Sequence, residues 1–172
     1  MTATLINLSL TELKLAKELL FDPFDLELKN LNIHSESQDY AACSFELNGK
    51  KIEYRASKIT PVKIGQFVTT WRRDKEGITR PFDSSDDLDF LIISSRNEDN
   101  FGLFIFPKSI LAGKGIISQN GEGGKRGIRV YPTWDQVTNK QAEKTQRWQS
   151  KYFLWIKNTN PSDHALLQML LN

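Results

Sequence analysis

Two short segments, Phe90-Leu91-Ile92-Ile93 and Leu103-Phe104-Ile105-Phe106, are apolar at every position. A strand written this way has no polar face to turn to water. It must be covered on both sides, and two of them predict the centre of a sheet with packed layers above and below. Asp89 opens the first segment, Gly102 precedes the second, and Pro107 stops the second because proline cannot donate to a strand ladder.

The remaining segments predict what surrounds this centre. Ser9-Leu10-Thr11-Glu12 has a capping-box pattern, and Leu10, Leu13, Ala16, Lys17 and Leu20 follow at helical spacing until Asp22-Pro23 ends the run. Ala41, Cys43, Phe45 and Leu47 alternate with smaller or polar residues and are followed by Asn48-Gly49, the pair that best tolerates a type I′ turn. The return strand, Lys51 to Lys58, puts Ile52, Tyr54 and Ala56 on one face and Lys51, Glu53 and Arg55 on a charged opposite face. A further strand is expected from Gln66 to Trp71, entered through Gly65 and left through Arg72-Arg73, and a shorter one from Gly127 to Tyr131. Thr138-Asn139-Lys140-Gln141 predicts the start of a helix running to about Ile156, with Ala142, Thr145, Trp148, Gln149, Tyr152 and Trp155 facing inward. The sum is an α/β fold, a central mixed sheet of five to six strands flanked by helices, in one domain over residues 1–172.

No stretch approaches the ~20 apolar residues of a membrane helix. The opening Met1-Thr2-Ala3-Thr4-Leu5 lacks the basic and apolar regions of a signal peptide, and a single cysteine excludes an intrachain disulfide, so the expected location is cytoplasmic with no membrane partner. The net charge of +2 hides an uneven distribution: −5, +6, −5 and +7 over residues 1–49, 50–80, 81–100 and 101–157, with −1 beyond. Two basic blocks separated by an acidic loop predict a polarised surface that attracts a polyanion.

Most candidate chemistry falls away on spacing. His34 and His164 have no ligand partner at helical spacing and are expected to be surface residues, and Cys43 lies on an apolar strand face without a base. Gly121-Glu122-Gly123-Gly124-Lys125-Arg126-Gly127 lacks the spacing of a phosphate-binding P-loop and predicts a hairpin tip. The acidic run Asp83 to Asp89 does not match a calcium loop and predicts a solvated loop, so no metal ligand set is assigned. What remains is cations interleaved with hydroxyl and amide donors at a strand junction, Tyr54 to Phe67, with Trp71 and Tyr131 as stacking surfaces.

Four ordered blocks, YRASKITPVKIGQFVTTWRRD, FGLFIFPKSIL, GKRGIRVYPTWD and NKQAEKTQRWQSKYFL, together resemble the bacterial MepB-like family over about Glu53 to Leu154. The resemblance implies a restriction-endonuclease-like sheet of the PD-(D/E)XK type. In such a core one central strand opens with an aspartate and the next carries Asp or Glu, any residue, then Lys, the carboxylates holding magnesium. Asp89 matches the first position and Lys108 the lysine, but Phe106 stands at the second carboxylate, so a metal site would need a displaced acid such as Glu53 or Glu12.

The expected function is therefore a nucleic-acid-binding protein, for DNA or RNA, on an endonuclease-like fold. It has no cofactor and is more a binder than an enzyme. Arg55, Lys58, Lys63, Arg72, Arg73, Lys108, Lys125, Arg126 and Arg129 are its candidate phosphate contacts, with Trp71 and Tyr131 for stacking. One alternative is a divergent magnesium-dependent nuclease using Asp89, Lys108 and a relocated carboxylate. A second is a protein-interaction or small-molecule module built on the acidic loop 83–89 or on a pocket between Trp71 and Tyr131.

Overall fold

The structure, a computed structural model, describes residues 10–156 and 161–171, the side chains at 161, 162, 164 and 171 aside. Helix α1 (Thr11–Ala16) runs into a π turn over Lys17–Phe21 and leads to strands β1 (Leu28–Ile33), β2 (Cys43–Leu47) and β3 (Lys50–Ala56). Next come β4 (Lys58–Ile59), β5 (Gln66–Thr69), β6 (Trp71–Arg73), β7 (Thr79–Pro81), β8 (Phe90–Asn97) and β9 (Asn100–Pro107). The chain continues with α2 (Lys108–Gly113), β10 (Ser118–Gln119), β11 (Glu122–Gly123), β12 (Gly127–Val130), α3 (Lys140–Gln149), β13 (Phe153–Trp155) and α4 (Pro161–Leu171).

The central sheet has six strands in the order β1-β2-β3-β8-β9-β13, mixed because β3 and β8 are parallel while the other pairs are antiparallel. The two wholly apolar segments are its middle strands, as their composition required, and Leu91, Ile92, Ile93, Phe104, Ile105 and Phe106 are at most 1% exposed. Asn48 and Gly49 both have positive φ, +50° and +78°, and close the β2–β3 hairpin as a type I′ turn.

Each face of the sheet has its own core. On one face, Leu13, Ala16, Leu20 and Phe21 of the first helical segment and Leu166, Leu167 and Leu170 of α4 pack against Phe45, Ile52, Tyr54 and Ile92. The Tyr54 hydroxyl is bonded to the Ser94 hydroxyl within this core, and burial pushes the Cys43 thiol up to about 12, so Cys43 serves as packing. The opposite face is covered by the crossover from β3 to β8 together with β12 and the segments around α2 and α3. There a second sheet, ordered β12-β5-β4, lays Val68, Ile128 and Val130 over Leu91, Ile93, Phe104 and Phe106.

Three details differ from expectation, and the Ser9 cap falls outside the described residues. Lys17 is exposed and paired with Asp22 at 3.0 Å, so the apolar stripe of the first helix does not include it. The helix that begins at Thr11 has Leu10 at its N-cap position, without a side-chain cap bond there. The strand expected over 66–71 breaks at Thr70, whose N–H and Oγ1 donate to the carbonyls of Arg126 and Lys125; β5 joins the small sheet while β6 pairs with β7. The late helix is capped by Asn139, whose side chain accepts the Ala142 N–H at 2.8 Å, but it ends at Gln149 rather than Ile156. Phe153, Leu154 and Trp155 instead pair with Phe104, Leu103 and Gly102. A free edge of β9 has backbone groups that must be paired, and this tertiary demand overrides helical periodicity.

Candidate functional site

The sequence offers Asp89 and Lys108 as remnants of a hydrolytic centre, and the β8–β9 hairpin does bring them together at one end of the sheet. The Lys108 N–H donates to the Asp89 carbonyl at 3.0 Å. Their functional groups, however, are committed elsewhere. Asp89 Oδ2 accepts the Lys51 N–H at 2.8 Å, which continues the β3–β8 ladder, and Lys108 Nζ donates to the Asp86 carbonyl at 2.7 Å.

The position between them is closed to a metal ligand. Phe106 is 0% exposed and packs with ring centroids 5.5 Å from Phe104, 5.4 Å from Trp148 and 6.1 Å from Tyr152. Neither displaced acid replaces the missing carboxylate. Glu53 Oε2 is taken by His34 Nε2 at 3.0 Å and Arg55 Nη1 at 3.3 Å, and Glu12 acts electrostatically on Tyr54, which faces the other core. Among the described residues no group of three or more His, Cys, Asp or Glu is arranged to hold a metal ion. The residues present do not fit a magnesium site.

His34 is thus a half-buried partner of Glu53 rather than a surface residue, and the His164 side chain lies outside the described residues. Arg55 is the larger correction. Expected on a solvated face, it is 0% exposed, with Nη1 donating to Glu53 and to the Tyr54 carbonyl at 2.8 Å and Nη2 to the Trp71 carbonyl at 3.3 Å. Its guanidinium stands 5.3 Å over the Phe82 ring. The crossover layer covers the face of β3 that alternation alone leaves open. Arg55 joins layers and cannot reach a ligand.

The acidic loop is ordered by its own bonds. Asp86 receives a bidentate pair from Arg72 at 2.8 Å, which withdraws Arg72 from the phosphate-contact set. The Ser118 and Ser85 hydroxyls at 2.6 Å, together with the Gly121 N–H at 3.0 Å, hold the Asp83 carboxyl well below the usual carboxylate range. The folded state therefore binds this proton less readily than the unfolded chain. The stabilisation is complete above about pH 4 and is lost as the pH falls toward the lower, folded value. Asp83→Asn is expected to flatten this acid limb and to lower neutral-pH stability by about 1–2 kcal/mol. Thermal unfolding from pH 3 to 7 checks it; an acid limb parallel to that of the parent protein would assign the effect to another group.

The cations that do converge line a cleft of about 670 Å³ between the small sheet and α3. Lys63 comes from the β4–β5 loop, Lys114 from the turn after α2, Lys125 from the segment before β12 and Arg129 from β12 itself, and no described carboxylate lines the cleft. Thr138, Asn139, Gln141 and Thr145 add polar groups from the start of α3 and the turn before it, while Tyr131 and Trp148 add aromatic surface. Lys114 Nζ lies 5.1 Å from the Trp148 ring, whose other contacts include Phe106. The phenyl ring at the motif's acid position therefore supports the floor of this cleft.

The β12 wall is fixed to α3 by one side chain. Gln149, 1% exposed, accepts the Tyr131 N–H at 2.8 Å and donates to the Arg129 carbonyl at 3.1 Å. Gln149→Ala leaves both backbone groups unpaired in a covered position and is expected to cost about 2–3 kcal/mol in unfolding by denaturant. A loss under 0.5 kcal/mol would mean that water replaces the amide.

The other predicted contacts lie apart. Arg126 and Trp71 border a smaller depression of about 310 Å³ with Phe67, Thr69, Thr79 and Gly127. Arg73 stands 5.4 Å over Trp71, and Lys58 stands 5.3 Å over Tyr40. Trp71 and Tyr131 do not share a pocket, as the small-molecule reading required, although Gly127 borders both depressions. Sequence reasoning overlooked Lys114, which follows a short helix in no periodic pattern, and it read Trp148 and Gln149 only as packing.

Comparison with known proteins agrees with this description of the fold. The MepB-like family model matches residues 34–155. A crystal structure of MepB is similar with a TM-score of 0.75 and 37% identity over 84% of this chain and 98% of that chain. A bacterial homing endonuclease aligns at a TM-score of 0.44 and 14% identity, over 92% of this chain and 89% of its own. No curated protein matches the chain. The family match runs from the residue after β1 through β13, taking in the rest of the central sheet and the walls of the basic cleft, and this protein belongs to the MepB-like family.

Proposed function

We propose that this protein binds nucleic acid in the cleft between the small sheet and α3 without hydrolysing it. Lys63, Lys114, Lys125 and Arg129 contact phosphates, and Tyr131 offers a face for a base. The observation that carries the reading is the convergence of four cations, from four separate segments, on one concave surface with no described carboxylate among its lining residues. A cleft lined by one sign of charge focuses a positive potential that attracts a polyanion. No described helix is long and apolar enough to cross a membrane.

The reading takes DNA and RNA alike and rests on backbone charge and stacking. Labelled single-stranded and duplex oligonucleotides, titrated from 50 to 200 mM salt with magnesium present and product length checked in the same samples, test it. Four phosphate contacts predict a slope of log affinity against log salt of about −3 to −4. Salt-sensitive binding of intact oligonucleotide supports the reading. Binding indifferent to salt, or absent at 50 mM, rejects it, and magnesium-dependent cleavage replaces it with a nuclease.

A further inference from the structure

The β4–β5 loop, residues 60–65, forms one lip of the cleft and is anchored at both ends. Arg129 Nη1 donates to Thr60 Oγ1 at 3.0 Å and lies 3.3 Å from the carbonyl oxygens of Ile64 and Gly65. Gly65, at φ +85°, lets the Tyr131 ring approach so closely that a Cβ there would lie 2.7 Å from two ring carbons. Pro61 fixes a further backbone dihedral. Between these anchors the loop presents Val62, 93% exposed, flanked by Lys63 and the 40% exposed Ile64.

A lone exposed valine is ordinary on a protein surface. Val62 differs in its setting, because it and Lys63 line the same acid-free cationic cleft and because its loop is held rather than free. An apolar tip projecting from an anchored cationic base has the composition of a side chain that enters a base stack while neighbouring cations hold the phosphates on either side. A hydrophobic peptide would gain nothing from the surrounding positive charge.

We infer that Val62 is a wedge that enters one base step of a bound duplex, so that the cleft favours duplexes whose stacking is already interrupted. This rests on the nucleic-acid reading of the same cleft. A duplex carrying one unpaired, bulged base has already lost the stacking that the wedge must break, whereas a fully paired duplex loses it on binding.

The test uses the full chain and two duplexes of equal sequence, one fully paired and one with a single-base bulge, each carrying 2-aminopurine at the central step. The parent protein is expected to bind the bulged duplex about ten-fold more tightly and to raise 2-aminopurine emission. Val62→Ala and Val62→Ser are expected to bring the affinity ratio close to one and to remove the emission change, with the salt slope preserved, while Val62→Leu retains both. Because Val62 is exposed, circular dichroism and thermal unfolding should be unchanged in all three variants. Equal affinity of the parent protein for the two duplexes, or a Val62→Ala variant that keeps the ratio and the emission change, overturns the wedge and leaves the binding reading intact. Failure of the parent protein to bind either duplex at low salt overturns the wedge, and failure to bind the single-stranded oligonucleotide as well overturns the nucleic-acid reading.

Discussion

Replacement of Arg55 by alanine is expected to lower the free energy of unfolding by about 3–5 kcal/mol, a large part of the stability of a domain of this size. The cost arises on both sides of the layer boundary. The carbonyls of Tyr54 and Trp71 lose their donor, Glu53 keeps His34 as a partner but loses its second cation, and the volume beneath Phe82 empties. Burial pulls the guanidinium pKa down and the Glu53 charge pushes it back up, as expected for a cation kept inside only by its partners. Arg55→Met keeps the stem over Phe82 and is expected to cost less than Arg55→Ala, which guards against a variant that does not fold. Urea unfolding followed by tryptophan fluorescence measures both. In the oligonucleotide assay Arg55→Met should leave the salt slope unchanged, since a residue 0% exposed does not touch phosphate. A slope reduced by about 1 with stability preserved would return Arg55 to the binding surface.

The second large effect concerns the cleft. Changing Lys63, Lys114 and Lys125 together to glutamine removes three of its four cations while leaving Arg129, which also anchors the 60–65 loop, in place. All three lysines are exposed, so stability should change by no more than ~0.5 kcal/mol. Oligonucleotide affinity near 0.1 M salt should fall by roughly two orders of magnitude, and the salt slope should shrink by about 2–3. Changing Lys50, Lys75 and Lys140 instead controls for net charge, because none of them lines the cleft. Equal losses in the two triple variants would mean that overall charge, not this cleft, attracts the ligand.

The contrast between Arg55 and Lys63 shows where reading residues in order stops working. Both are cations of the first basic block, Arg55 within a strand and Lys63 on the β4–β5 loop, and both were expected on a solvated surface. Arg55 is buried because the segment after β3 folds back over that face of the sheet, and Lys63 remains exposed because it lies on the loop at the edge of the covering layer. The same layer ties Arg72 down by supplying Asp86 as a bidentate partner. Lys114 lines the cleft because the turn after α2 comes to rest beside Trp148.

What the amino-acid sequence determined by itself was whatever depends on neighbours within a few residues. Two wholly apolar segments had to become the centre of a covered sheet, Asn48-Gly49 had to turn a hairpin, and Asn139 capped a helix. Strand order, the conversion of residues 153–155 from helix to edge strand, and the choice of which basic residues are free were settled only by tertiary structure. The physical reason is the same for each. Burial and backbone pairing are properties of what a segment meets, and here the partners come from segments tens of residues away in the chain.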